Sequence, residues 1–191
     1  RSQGYLLDVT YPFSNKKEKH LVSIPRSKVK KKVYLKREQF TELYNVFVNK
    51  NYPDTWKKGY AERAHYSLGL FLAQYLCNGF NLADAARLQY NDYYFQTDKR
   101  AFLFNRKKTA DRSSNDSEVV IPIIEPLQVI LDEIAATPSR DGYVFPEIFN
   151  GVTSEKERRK RTAQENSNIQ DRVTKICHDV LGWDKAIRPS G

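Results

Sequence analysis

Apolar residues recur at helical spacing in four stretches of the chain. Phe40, Leu43, Tyr44 and Phe47 fall at i, i+3, i+4 and i+7, which predicts a helix over Lys36 to Lys50 with one buried stripe. A second helix, with Asp54 as its expected N-cap, becomes apolar on nearly all sides from Leu68 to Cys77, the pattern of a helix at the centre of a core. Gly79 offers a left-handed stop, and Asn81 with Asp84 three residues on resembles a capping box for a short helix to Leu88. Leu127, Ile130, Leu131 and Ile134 behind Pro126 predict a further amphipathic helix. Ser154 and Glu157 form a second capping box, opening a helix that is basic early and apolar late, at Ile169, Val173, Ile176, Cys177, Val180 and Leu181, and that ends at Gly182.

Between these helices the period changes. Asn91 to Gln96, Arg100 to Arg106 and Glu118 to Ile123 have strand character, with alternation at Phe102/Phe104 and at Val119/Ile121/Ile123. Thr97 to Lys99 is a hairpin-length break, and the polar stretch Lys107 to Ser117 a longer loop. The expected fold class is therefore α+β, mostly helical with a small three-stranded antiparallel sheet. Asp141-Gly142 reads as a turn before the short extended run Tyr143 to Pro146. Ahead of Lys32, Pro12, Pro25 and many lysines break short β-like pieces, so residues 1–32 read as a basic linker or arm and 33–191 as the folded domain.

Charge sharpens this division. The 191 residues carry 32 Lys and Arg against 23 Asp and Glu, a formal net charge of +9. Ten of those cations and a single acid, Glu18, lie between Lys16 and Arg37, and the remaining 22 basic and 22 acidic residues cancel. Such a segment suits a polyanion, because neutralising each phosphate releases a counterion; a solvated basic linker has the same composition. A 40% hydrophobic share excludes wholesale disorder. Two cysteines, Cys77 and Cys177, give neither a disulfide framework nor a zinc spacing, which fits a reducing compartment. The Leu68 to Cys77 run is too short to cross a bilayer, and no signal peptide is visible. The absence of methionine leads us to expect a piece of a longer protein.

Candidate chemistry is sparse. His20, His65 and His178 are isolated from other metal-ligating residues, and His178 is expected as an exposed helix residue. No Gly-rich phosphate loop or Gly-x-Ser-x-Gly elbow occurs, which argues against nucleotide-dependent and hydrolase classes. A second basic cluster lies at the sheet: Lys99, Arg100, Arg106, Lys107, Lys108 and Arg112, opposed only by Asp111. A lysine at a hairpin tip can reach into a groove and protonate a phosphodiester leaving group; a solvated loop lysine is the plainer reading.

The stretch Leu72-Ala73-Gln74-Tyr75-Leu76-Cys77-Asn78-Gly79-Phe80-Asn81-Leu82-Ala83-Asp84-Ala85-Ala86-Arg87-Leu88, followed by the strand segments with Arg106-Lys107-Lys108-Thr109 and then Val120-Ile121-Pro122-Ile123, resembles the catalytic domain of tyrosine recombinases, the phage-integrase family, in the branch carried by bacterial mobile elements. The resemblance covers roughly Lys32 to Gly191. It implies cofactor-free and metal-free DNA strand exchange in a bacterial, nucleoid-associated setting, by a tetramer on two duplexes. A tyrosine attacks a phosphodiester to give a 3′-phosphotyrosyl link, while two arginines, a hairpin lysine and histidines stabilise charge.

Carried onto this chain, Lys108 matches the hairpin lysine and Asp84 the acidic residue supporting the active-site network. Asn81 stands where the family has its first arginine, so it is expected either as a helix N-cap or as an uncharged donor to a DNA phosphate. Arg87, six residues on, is about 240° around a continuous helix and would not share that face. Lys28, Lys30, Lys31, Lys32, Arg106 and Lys107 are the expected DNA-backbone contacts. The family's His-x-x-Arg box and nucleophilic tyrosine would follow Ile187-Arg188-Pro189-Ser190-Gly191, and no tyrosine occurs after Tyr143. The expectation is thus a C-terminally truncated catalytic domain of a site-specific DNA recombinase, inactive alone. The alternatives are a DNA-binding remnant or regulator without catalysis, and an RNA binder stacking bases on Tyr93, Tyr94, Phe102 and Phe104, positions more typical of packing.

Overall fold

A computed structural model describes residues 13–14, 22–23, 35–77, 79–105, 118–184 and 189. The chain divides into two compact units, Arg1–Val33 and Tyr34–Gly191. In the first, strands β1 (Phe13–Ser14) and β2 (Val22–Ser23) pair in parallel. The second unit is mixed α+β and mostly helical. Its helices are α1 (Arg37–Asn49), α2 (Lys58–Leu76), α3 (Leu82–Ala85) and α4 (Asp92–Gln96), then, beyond strands β3 (Ala101–Asn105) and β4 (Glu118–Pro122), α5 (Glu125–Ile134) and α6 (Glu155–Asp179). A 3-10 turn, Pro146–Ile148, precedes α6.

Helix α2 is the centre. Every residue from Ser67 to Gln74 is buried, as an all-round apolar run requires, and α1, α5 and α6 all pack on it. Helix α1 contributes Leu43, Val46 and Phe47, with Phe40 and Tyr44 half-buried at the margin of the expected stripe. Helix α5 contributes Leu127, Ile130 and Leu131, with Pro126 in its first turn. Helix α6 contributes Ile169, Val173, Ile176 and Cys177, and its cap is as expected: Ser154 Oγ accepts from the Glu157 amide at 3.3 Å and donates to the Glu157 carboxylate at 2.7 Å.

Four expectations change. Helix α2 begins at Lys58, not behind Asp54, because Pro53 to Trp56 forms a turn that stacks Trp56 on Tyr52 and sets it edge-on to Tyr60. Helix α3 ends at Ala85: Arg87 and Leu88 close tighter i to i+3 bonds, and the chain then runs extended to bond with residues 141–144 through Leu88 and Tyr90. Residues 91–96 form α4 instead of a strand. Asn91 caps it, accepting from the Tyr94 amide and donating to Leu103 O at 2.7 Å, and this local bonding outweighs the β preference of Tyr93-Tyr94-Phe95. The helical turn also lets Tyr94 stack on Phe102, with ring centroids 5.1 Å apart. Among the described residues the sheet therefore has two strands, β3 and β4, antiparallel with Phe102 opposite Ile121 and both buried. Finally, His178 is half-buried rather than exposed, and its Nε2 is buried without a hydrogen-bond partner among the described residues.

Gly69 marks the closest approach in the core. A Cβ there would lie 2.7 Å from Ile134 Cδ1 and 2.9 Å from the Phe47 ring, so α1 and α5 can both reach α2 only past a bare Cα. Overpacking that three-helix junction should outweigh the gain in helix propensity. Gly69→Val is expected to lower unfolding free energy by about 2 kcal/mol, read as a lower urea midpoint at unchanged slope.

Candidate nucleic-acid interface

The end of α2 and the start of α3 make the corner on which the candidate site is built. Gly79 adopts φ +66° and donates its amide to Gln74 O at 2.9 Å, closing the helix in a conformation that a β-carbon disfavours. Phe80 is buried edge-on against Phe104 of β3, which fixes the corner to the sheet. Asn81 Oδ1 then accepts from the Asp84 amide at 2.9 Å, so Asn81 is the N-cap of α3. The same bond orients its amide: with the oxygen committed, the NH2 group has no partner among the described residues. Asp84 is buried, at 4% exposure.

Two clefts open at this corner. One, about 220 Å³, is lined by Asp84, Arg87, Gln89, Asn91 and residues 103–105 at the end of β3. The other, about 360 Å³, lies between the α3 corner and α6, lined by Asn81, Leu82, Ala83 and Arg87 on one side and Arg159, Thr162, Ala163 and Asn166 on the other. Arg87 lines both. The continuous-helix reading that put it on another face fails because α3 stops after four residues. Its guanidinium donates to Ala83 O at 3.0 Å and to Glu155 Oε1 at 2.6 Å, and lies 5.8 Å from the centre of the Phe149 ring.

The structure thus brings Asn81 and Asp84 to one corner and adds Arg87 to them. Lys108, Arg106 and Lys107, and the linker lysines Lys28, Lys30, Lys31 and Lys32, lie outside the described residues. Lys99 and Arg100 are exposed at the entry to β3, where Asp98 and Lys99 both take left-handed backbone angles. Of the early α6 cations, Lys156, Arg159 and Lys160 are exposed, whereas Arg158 donates to Val152 O and packs 4.8 Å from the Phe149 ring centre. Sequence reasoning missed Arg159, Thr162 and Asn166. They follow the i, i+3, i+7 spacing of one helix face, but polar faces usually meet solvent, and only the fold shows that this one borders a cleft. Tyr94 and Phe102 are buried against each other, so they offer no stacking platform for bases.

Nucleophiles and metal ligands are scarce. Burial pushes the Cys77 and Cys177 thiols up to about 12, and likewise the Tyr90 hydroxyl, far from the ionised forms that attack. Burial raises Tyr52 and Tyr66 further still. Among the described residues no group of three His, Cys, Asp or Glu could hold a metal, and no helix is long and apolar enough to cross a membrane. No family model matches the chain, and neither does any curated protein or solved structure.

A titratable cluster also ties α1, α2 and α5 together. His65 stacks on Phe47 with centroids 4.4 Å apart, its Nδ1 is 2.9 Å from the Tyr52 hydroxyl, and its Nε2 is 3.5 Å from Glu133, which Lys50 binds at 2.6 Å. Burial lowers the His65 pKa, against the opposing pull of Glu133; the Lys50 hydrogen bond lowers that of Glu133. A neutral ring can accept from Tyr52 at Nδ1, while Nε2 faces Glu133 at 3.5 Å without a formed hydrogen bond among the described residues.

Two outcomes follow. Removing the α3 cap with Asn81→Ala should cost about 1 kcal/mol in urea unfolding. On acidification, unfolded His65 protonates before the folded form, so its contribution is full above about pH 6.5 and lost as pH falls below it; Glu133 loses its contribution at lower pH, in the same sense. The melting temperature should therefore drop between about pH 6.5 and pH 4, and His65→Gln should flatten the upper part of that drop.

Proposed function

We propose that this chain is the duplex-DNA-binding core of a site-specific recombinase of the tyrosine type, whose intact form cleaves and rejoins DNA through a 3′-phosphotyrosyl intermediate. The observation that carries the reading is the corner at Gly79. Asp84, the acidic residue of the resembling motif, shares a cleft with Arg87 and with Asn105, the residue immediately before Arg106-Lys107-Lys108. A buried carboxylate, a guanidinium and the root of a lysine-bearing loop around one cleft suit a phosphodiester, whose developing charge gains most from preorganised cations. Exposed Lys156, Arg159 and Lys160 on α6 extend the cationic surface available to a duplex backbone.

In this reading Lys108 protonates the 5′-oxygen leaving group, Asp84 supports the network, and the linker lysines Lys28, Lys30, Lys31 and Lys32 run along phosphates with Arg106 and Lys107. The tyrosine and the His-x-x-Arg box belong to the intact protein, which works as a tetramer on two duplexes. Asn81 supports a second reading. Its oxygen is committed to capping and it carries no charge, as in a DNA-binding regulator that kept the fold and lost the chemistry.

Incubating the full-length protein with a nicked suicide duplex separates the two. A covalent adduct lost in Lys108→Ala is expected for a recombinase, and tight binding without adduct for a regulator. For the chain itself, duplex affinity should fall about a thousandfold between 50 and 200 mM salt if about six phosphates are neutralised. A flat response would remove the linker lysines from the backbone.

A further inference from the structure

The larger cleft mixes apolar side chains, Leu82, Ala83 and Ala163, with polar and cationic ones. Its α6 wall is the stripe Arg159, Thr162, Ala163 and Asn166, at i, i+3, i+4 and i+7, and its other wall is Asn81, Leu82, Ala83 and Arg87. Ala83 and Ala163 are the small residues of its two walls, and the open cleft, of about 360 Å³, has room for a phosphate group. Among the described residues, the donors that face it have hydrogen-bonding capacity to spare. Asn81 spends its oxygen on the Asp84 amide, which leaves the NH2 group to donate. Arg87 spends two N–H groups, on Ala83 O and Glu155, of the five that a guanidinium has. Arg159 approaches Glu155 only through Nε, at 3.6 Å, and its side chain is 74% exposed.

Glu155 binds both arginines and does not line the cleft. Two guanidiniums, one on each wall of the cleft, thus share the Glu155 carboxylate. Ala83 O, Glu155 and the Phe149 ring hold the Arg87 guanidinium in one orientation, so little side-chain entropy remains to be lost when an anion binds.

We infer that the cleft between the α3 corner and α6 is a phosphate-binding site, with Arg87 and Arg159 as its cations, the Asn81 amide as a neutral donor and Glu155 as the resident counter-ion that tempers its affinity. The site deepens the DNA-binding reading and rests on it for the source of the phosphate, a duplex backbone. It also supplies the cation that Asn81 lacks: Arg87 brings a positive charge to the corner from six residues further along the chain.

The test uses the whole chain, duplex DNA of mixed sequence and, separately, inorganic phosphate. Arg159→Gln and Arg87→Gln should each weaken duplex binding about tenfold and lower the salt slope by about 1. Glu155→Gln should tighten binding about threefold, a sign that a merely structural Arg87–Glu155 bridge would not produce. Melting temperatures of the three variants check that each is folded; should Arg87→Gln fail to fold, the exposed Arg159 carries the test. Millimolar phosphate should shift the Nε–H resonances of Arg87 and Arg159 in side-chain NMR spectra. Duplex binding unaffected by either arginine variant, with those resonances unmoved, overturns the site and leaves the DNA reading standing. Shifted resonances without duplex binding uphold the site as one for another phosphate ester and overturn the DNA reading. Neither response overturns both, and weaker binding in a folded Glu155→Gln overturns the counter-ion role.

Discussion

Everything in the helical unit follows from the need to cover α2 on all sides. A helix buried at every position from Ser67 to Gln74 has no face left for water, so α1, α5 and α6 must each find room against it. That room is limited, and Gly69 supplies it where Phe47 and Ile134 converge. One polar exception, buried Ser67, accepts from Arg172 of α6 at 3.0 Å, and Arg172 also pairs with Glu165 at 3.1 Å. Close packing of this kind leaves the end of α2 little freedom, so the Gly79 corner inherits its position from the core and not from the polar residues it carries.

In the proposed reading the corner must meet two demands with one residue. An N-cap calls for a short side chain with an acceptor oxygen, whereas a phosphate calls for a cation. Asn81 answers the first demand and leaves the second to neighbours that the fold delivers from elsewhere: Arg87 from the turn after α3, and Arg159 from the start of α6. Glu155 keeps those two guanidiniums from repelling each other while the cleft is empty of charge, at the cost of some of their attraction for an anion.

Much of the fold was legible in the sequence, because the helices that matter announce themselves by period. The stripes of α1, α5 and α6, the apolar run of α2, the glycine stops at 79 and 182 and the Ser154 cap all appear within a few residues of their predicted places. Errors came where local chemistry and period disagree. Tyr93-Tyr94-Phe95 reads as strand by side-chain preference, yet Asn91 caps it into a helical turn. Arg87 was assigned to the wrong face by extending a four-residue helix through it, when pairing of Leu88 and Tyr90 with residues 141–144 ends the helix early. The cleft walls were not legible at all, since the partnership of residues 81–87 with 159–166 is a product of tertiary packing. Asp84 and Asn81 were singled out by motif; the structure shows Asn81 capping α3 and Asp84 buried beside it.

The Arg172 bridge has a mechanical side. It fixes the later half of α6 to the central helix, while the Arg87–Glu155 bridge and the packing of Arg158 on Phe149 hold the first turns, from which Lys156, Arg159 and Lys160 project. A straight helix of 25 residues is about 37 Å long, so α6 is a rod held near both of its ends. Held in this way, it ties the α3 corner to the far side of the α2 core by a second route besides the chain itself.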